Sequence, residues 1–244
     1  MKTLFAAAAL AALSASPLAA QYNAATMPLA GEFIRSYLLE NPEVVVEALQ
    51  AYEQNRKIDQ LNEMTAAVGA AHAELFNDPD SPVIGNAEGD VTVVEFADYR
   101  CGHCRNTNAA LRSVLAADPG VKVIIKEWPI LGAASQTAAR YALAVNALHG
   151  AEAYHKVHDA LYDAAGQFDS AWFHDHAAGQ GYDFDELSLA MDSAEVTAEL
   201  AQTMRLAERI GITGTPFLVV GDEVVPGALG AEDFTTLIAQ ARQD

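Results

Sequence analysis

From residue 82 onward, short apolar runs rich in β-branched side chains alternate with longer stretches whose apolar positions recur every three or four residues. This is the pattern of a mixed α/β domain. The run at 91–97 is apolar and rich in β-branched residues, so it is expected to be a strand of a sheet covered on both faces, and the run at 121–127 is expected to be a second strand. Shorter runs at 217–220 and 223–225 predict a closing hairpin, and 231–242 a final helix. Between the first two strands, Leu111, Val114 and Leu115 sit at helical spacing in a segment, 105–117, that stops at the breakers Asp118, Pro119 and Gly120. The stretch 132–210 is alanine-rich and helical, long enough for several helices inserted into the sheet.

Before residue 78 there is no strand pattern. The stretch 28–77 reads as helical, with a new helix opening at Asn41 as N-cap, Pro42 in the first turn and Glu43 as its acidic neighbour. Further on, Leu61, Met64, Val68, Ala71 and Leu75 recur at alternating spacings of three and four, an a/d seam two heptads long. Such a seam either lies on the body of its own chain or finds a partner in another subunit. A cluster of turn formers at 77–82 marks the boundary, giving an N-terminal helical arm at 21–78 and a second domain at 79–244.

Residues 1–20 carry Lys2, an apolar run at 4–13 and small residues before Gln21, which predicts a secretory signal peptide. No later segment has the length of a transmembrane helix, so the mature chain is expected to be exported and soluble, in the periplasm. The composition, 51% hydrophobic, can fill a core. A formal charge of -19 repels nucleic acid and anionic membrane surfaces and removes both as expected partners.

The chemistry is concentrated in Cys101-Gly102-His103-Cys104, which holds the only two cysteines of the chain. A loop this short restrains the unfolded chain little, so the pair is not a staple and its use is chemical. It follows a strand and opens a helix, where the first amides lack internal partners and their partial positive charge favours a thiolate. His103 adds a bias of the same sign, and the thiolate is the attacking species. A zinc site would need ligands from distant segments; copper(I) on two thiolates is chemically better matched but would share the redox cysteines. No metal or cofactor is therefore expected. In an exporting compartment disulfides persist, and one CxxC without a structural cystine points to handling the disulfides of other proteins.

Several further residues are candidates. Alternation places Glu95 on the face of Val91 and Val93, so its carboxylate is expected in apolar surroundings, well placed to serve as the base for a buried Cys104; the bland alternative is a strand-end carboxylate in solvent. Lys126 is a candidate ion-pair partner for Glu95. Thr215 and Pro216, after Gly214 and before a strand, suggest a tight turn with an optional cis bond and a backbone free to pair with an extended peptide. His155 and His158 lie one helical turn apart without an evident third metal ligand and read as solvated surface, whereas His174 and His176 do not share a helical face. Trp172 and Phe173 read as core, and Pro226 and Gly227 only as the end of the hairpin.

The order strand, CxxC, helix, strand, helical insertion, Thr-Pro and hairpin resembles the thioredoxin fold of the DsbA family. The segments 94–104, 127–132 and 211–217 carry the likeness, which covers about 81–244. The segments 33–44 and 75–82 resemble the arm of the ScsC-like branch, some members of which oligomerise through the arm and act as disulfide isomerases. The resemblance implies an α/β thioredoxin fold with a helical insertion at about 132–210, preceded by the helical arm. It also implies protein substrates with cysteines, a membrane redox partner and homo-oligomerisation through the arm. By the same resemblance Cys101 attacks, Cys104 resolves, Glu95 matches a buried acid, and Thr215 with Pro216 forms the peptide-binding edge. The Gly102-His103 pair departs from the proline and histidine of DsbA itself and equals that of protein disulfide isomerase. The intervening pair tunes redox potential, so the direction of exchange, isomerase or reductase against oxidase, stays open. A holdase or copper-sequestering protein and a glutathione-dependent isomerase are the competing readings; the cysteine pair and the export signal argue against the last.

Overall fold

The computed structural model describes residues 27–243, so the expected signal peptide at 1–20 lies outside the described residues. Internal contacts divide the chain into two units, 1–56 and 57–244. The described part of the first unit holds α1 (Met27–Glu40) and the start of α2 (Glu43–Ala70). Asn41 does not cap α2 with its side chain as expected: its amide turns back and donates to the Tyr37 carbonyl at 2.8 Å, closing α1 instead. Phe33, Leu39, Leu49 and Tyr52 of this unit are exposed, Phe33 and Leu39 to 70%.

In the second unit, the end of α2 is followed by α3 (His72–Phe76), β1 (Val83–Gly85), β2 (Val91–Ala97), α4 (Gly102–Ala117) and β3 (Val121–Glu127). The insertion contributes α5 (Ala133–His149), α6 (Ala151–Asp163), α7 (Ser170–Gln180), α8 (Phe184–Met191) and α9 (Ala194–Ile210). The chain closes with β4 (Phe217–Val220), β5 (Glu223–Pro226) and α10 (Ala231–Ala241). The sheet order is β1-β3-β2-β4-β5, with β2 and β3 parallel and the other pairs antiparallel. β1 was not expected; three residues are too few for alternation to be read from sequence.

Pairing of Val91 with Val121 through Ala97 with Glu127 sorts the central side chains onto two faces. Val91, Val93, Glu95 and Ala97 share one face with Val121, Val123, Ile125 and Glu127. This face is covered by α4, α5, α6 and α10, which bring Leu111, Tyr141, Tyr154 and Phe234. Val94, Phe96, Ile124 and Lys126 point to the other face. There Val68, Ala71 and Leu75 pack with Leu206 and Ile210. The second heptad of the predicted seam is thus spent on its own sheet, while Leu61 before it is 38% exposed. In the insertion Phe173 is buried and Trp172 packs partly buried against the same core.

Opposite faces also explain why Lys126 does not pair with Glu95. Its Nζ instead donates to the Glu74 carbonyl at 2.7 Å, Asp78 Oδ2 at 2.8 Å and Ser81 Oγ at 2.8 Å. Burial alone would raise the Asp78 carboxyl, but the Lys126 ammonium and local hydrogen bonds hold it below its usual value. The pair ties the segment after α3 to the underside of the sheet. Lys126→Ala leaves Asp78 buried without its counter-ion and is expected to cost about 3–5 kcal/mol of stability. Urea unfolding reads this directly, and a loss under about 1 kcal/mol would show that the tie is dispensable.

Candidate active site

Cys101 is the N-cap residue of α4, with φ -78° and ψ 117°, and the helix begins at Gly102, three residues earlier than the apolar spacing predicts. The preceding turn is held by Asp98, which is buried. Its carboxylate accepts from the Arg100 backbone N–H at 2.8 Å and from those of Ile130 and Leu131 at 2.8 and 2.9 Å. The Cys101 N–H donates to the Asp98 carbonyl at 3.0 Å. Asp98 therefore fixes where the helix starts and ties that start to the loop after β3.

The two cysteines are free thiols in different settings. Cys101 is 9% exposed, and its Sγ–H donates to the Thr215 carbonyl at 3.3 Å. Thr215-Pro216 is a cis bond, Pro216 is buried, and the loop stands directly across from Cys101. A cavity of about 200 Å³ opens beside it, lined by Met64, Ile212, Thr213, Thr215, Pro216 and Gly227. Gly227, read from sequence as no more than a turn former, thus borders the site. His103 is exposed in the first turn of α4, away from the interior.

Cys104 has no exposed surface. Burial pushes its thiol far above the usual range, and the charges of Glu95 and Cys101 push the same way. Glu95 is also fully buried, and neither carboxyl oxygen has a hydrogen-bond partner among the described residues. Burial first, then the neighbouring Glu127 and Cys101, raises its carboxyl from 4.5 to about 8. An acid of this kind can hold or release a proton near neutral pH, beside a thiol that needs one moved.

The sequence reading did not single out a set of buried polar groups next to Glu95. Glu127 Oε1 accepts from the hydroxyls of Tyr99 and Tyr154, each at 2.6 Å. The Tyr99 oxygen also lies 3.0 Å from His158 Nδ1; since its proton goes to Glu127, it accepts there and Nδ1 carries the hydrogen. His158 is fully buried, not on the solvated surface as expected, and burial lowers its imidazole to about 3, keeping it neutral. His155 stays half-exposed beside Asp159 at 3.8 Å. Two signals were available. Glu127 has the strand parity of Val121, Val123 and Ile125, and Tyr154, His158 and Tyr162 repeat every four residues on one face of α6. Among the described residues no group of three or more histidine, cysteine and acidic side chains is arranged to hold a metal ion.

Comparison with known proteins places two family models on the chain: a DSBA-like thioredoxin domain over residues 92–239 and a copper resistance protein ScsC N-terminal domain over residues 31–57. The structure is similar to a thioredoxin-like oxidoreductase from Silicibacter pomeroyi, at 41% identity and TM-score 0.65, covering 70% of this chain and 98% of that one. It is also similar to BcfH of Salmonella enterica Typhimurium, at 27% identity and TM-score 0.77, covering 93% and 100%. By sequence it is similar to the thiol:disulfide interchange protein DsbA of Bordetella parapertussis, 27% identical over 157 residues, 64% of this chain and 75% of that protein. Among the described residues no helix is long and apolar enough to cross a membrane.

Proposed function

The chain belongs to the DSBA-like thioredoxin family, of ScsC type, and we propose that it exchanges disulfides with cysteine-containing proteins through Cys101 and Cys104. The observation that carries this reading is the asymmetry of the pair. One sulfur lies at a helix N-terminus against the Thr215 carbonyl and the other is sealed in the core behind it.

The Cys101 thiolate attacks a substrate disulfide: a Cys101–substrate S–S bond forms, the substrate bond breaks, and its electron pair leaves on the second substrate sulfur. Cys104 then attacks Cys101, gives its proton to Glu95, and releases the first substrate sulfur as a thiolate. Two electrons pass from the dithiol to the substrate, and no cofactor takes part. Backbone groups at Thr215 and Pro216 pair with the extended substrate segment, so recognition depends little on its sequence. His103, exposed beside Cys101, stabilises the attacking anion.

The work is done in the periplasm, after removal of the signal peptide and with a membrane redox partner to reset the cysteines. Isomerase or reductase action is favoured over oxidase action by the exposed apolar side chains of the arm, including Phe33, Leu39 and Leu49, which a second copy of the chain would cover. An oligomer holds a misfolded substrate while one site attacks it.

The test is recovery of a disulfide-scrambled model protein by the pre-reduced mature chain, alongside the chain lacking residues 21–56. Full-length protein is expected to restore activity; the truncated form is expected to lose most of this yet still exchange with a small disulfide. Rapid oxidation of a reduced substrate by the disulfide form, without recovery of the scrambled one, would make it an oxidase. The copper named in the N-terminal family gives a second reading, capture of copper(I) on the two thiolates. It predicts that a stoichiometric cuprous ion blocks alkylation of Cys101.

A further inference from the structure

The buried acid Glu127 has no part in the exchange steps above, yet its position is determined by the sheet. Ala97 pairs with Glu127 and Glu95 with Ile125 on the parallel strands β2 and β3. Glu95 and Glu127 therefore occupy the same face as diagonal neighbours, close enough to feel one another without touching a common partner. Their surroundings differ. Glu127 receives two tyrosine hydroxyl donors on one oxygen, whereas Glu95 receives none. Burial raises the Glu127 carboxyl to about 8, as it does that of Glu95, but the two hydroxyl donors favour its ionised form, so of the pair Glu127 gives up its proton first. Two carboxylates in one low-dielectric space do not both ionise readily, so a charged Glu127 holds the proton on Glu95.

We infer that Glu127 is a positioning residue for disulfide exchange: the charge it places beside Glu95 keeps Glu95 protonated and ready to protonate Cys104. The inference rests on the exchange reading of Cys101 and Cys104. Its step is the opening of the oxidised site. A substrate thiolate attacks Cys101 Sγ, the Cys101–Cys104 bond breaks, and its electron pair lands on Cys104 Sγ. Glu95 supplies the proton that makes Cys104 a neutral thiol and is left as a carboxylate. Without that proton the leaving thiolate would be stranded in the core, where burial disfavours its charge most.

Other groups that face the pair act on the same balance. From the turn after β2 come Asp98 and Tyr99, and from the start of α4 come Cys101 and Cys104. From α6, Tyr154 donates to Glu127 while Tyr162 feels Glu95 and Cys104; the neutral His158 donates to Tyr99. Glu199 of α9 is sensitive to the charge of Glu127 and is itself raised by burial to about 8. Lys126, the cation nearest in sequence, faces the other side of the sheet and is occupied by Asp78. No cation on this face offsets the repulsion among the described residues that surround the pair.

The experiment is a titration of the Glu95 carboxyl by carbon-13 NMR in the reduced protein, with Glu95→Gln to assign the signal, comparing wild type, Glu127→Gln and Tyr154→Phe. Alongside it, opening of the oxidised site by dithiothreitol is followed against pH. In Glu127→Gln the Glu95 midpoint is expected to fall by about one pH unit, and the pH at which opening slows to fall with it. Tyr154→Phe, which removes one donor from Glu127, should move both the same way by less. A merely structural Glu127 would lower stability and leave the midpoint in place; unchanged midpoints in the folded variants overturn the inference. Should Glu127→Gln fail to fold, the direction of the Tyr154→Phe shift decides. Wild-type protein that titrates as described but never exchanges disulfides would instead overturn the exchange reading.

Discussion

Cys101→Ser is expected to reduce disulfide exchange to background, a loss on the order of a thousandfold or more. The hydroxyl cannot form a sulfur–sulfur bond, and no other cysteine can reach a substrate: the chain has two, and Cys104 has no exposed surface. The effect on folding should be small. A serine hydroxyl replaces the thiol at nearly the same size and can still donate to the Thr215 carbonyl. Stability within about 1 kcal/mol of wild type, together with lost exchange, separates chemistry from collapse. If wild type exchanged no disulfides while Cys101→Ser protected substrates as well as wild type does, the chain would act as a holdase instead.

Glu95→Gln is expected to produce two effects of opposite sign. The resolving step loses its proton acceptor and should slow by about a hundredfold at pH 7. Stability should rise in alkaline solution. The Glu95 carboxyl moves from 4.5 to about 8 on burial, so the folded state prefers the neutral form. Its contribution is complete below about pH 4.5 and is lost as pH rises through about 8. Glutamine carries no such loss, and the variant should exceed wild type by about 4 kcal/mol at pH 8 and by no more than about 1 kcal/mol at pH 5. Glu127 has the same sign, so part of the alkaline decline remains. His158 governs the acid side. Its imidazole falls from 6.5 to about 3, so its contribution is present above pH 6.5 and is lost as pH falls through about 3. Wild-type stability should therefore peak in mildly acid solution, between the two declines. Urea midpoints from pH 4 to 9 read both limbs, and a variant as steep as wild type on the alkaline side would remove Glu95 from the account.

The sequence was legible wherever a local pattern had a single physical solution. β2 is apolar on both faces, Glu95 apart, because both faces are covered, and its parity placed Glu95 in the interior. The cysteine pair at a strand-to-helix turn needed no distant information. What escaped was set by register between segments far apart in the chain. Lys126 follows Ile125 by one residue and so turns away from Glu95; nothing local says that Asp78, 48 positions earlier, waits on the other side. Glu127 is the last residue of β3, and its partners Tyr99 and Tyr154 come from a turn and an inserted helix. His158 reads as surface beside His155, whereas its decisive neighbours are Tyr154 and Tyr162, with which it forms one stripe of α6. Asn41 carried the right signal for a helix boundary and used it on the preceding helix.

The central claim, attack by Cys101 and resolution by Cys104, is tested most directly by trapping. Cys104→Ser, reduced and mixed with a disulfide-bonded substrate protein, is expected to accumulate a covalent complex. Mass spectrometry should place the linkage at Cys101, and dithiothreitol should release it; wild type should pass through the same complex too quickly to hold it. Failure of Cys104→Ser to form any mixed disulfide with substrates that wild type turns over would contradict the division of roles on which the account stands.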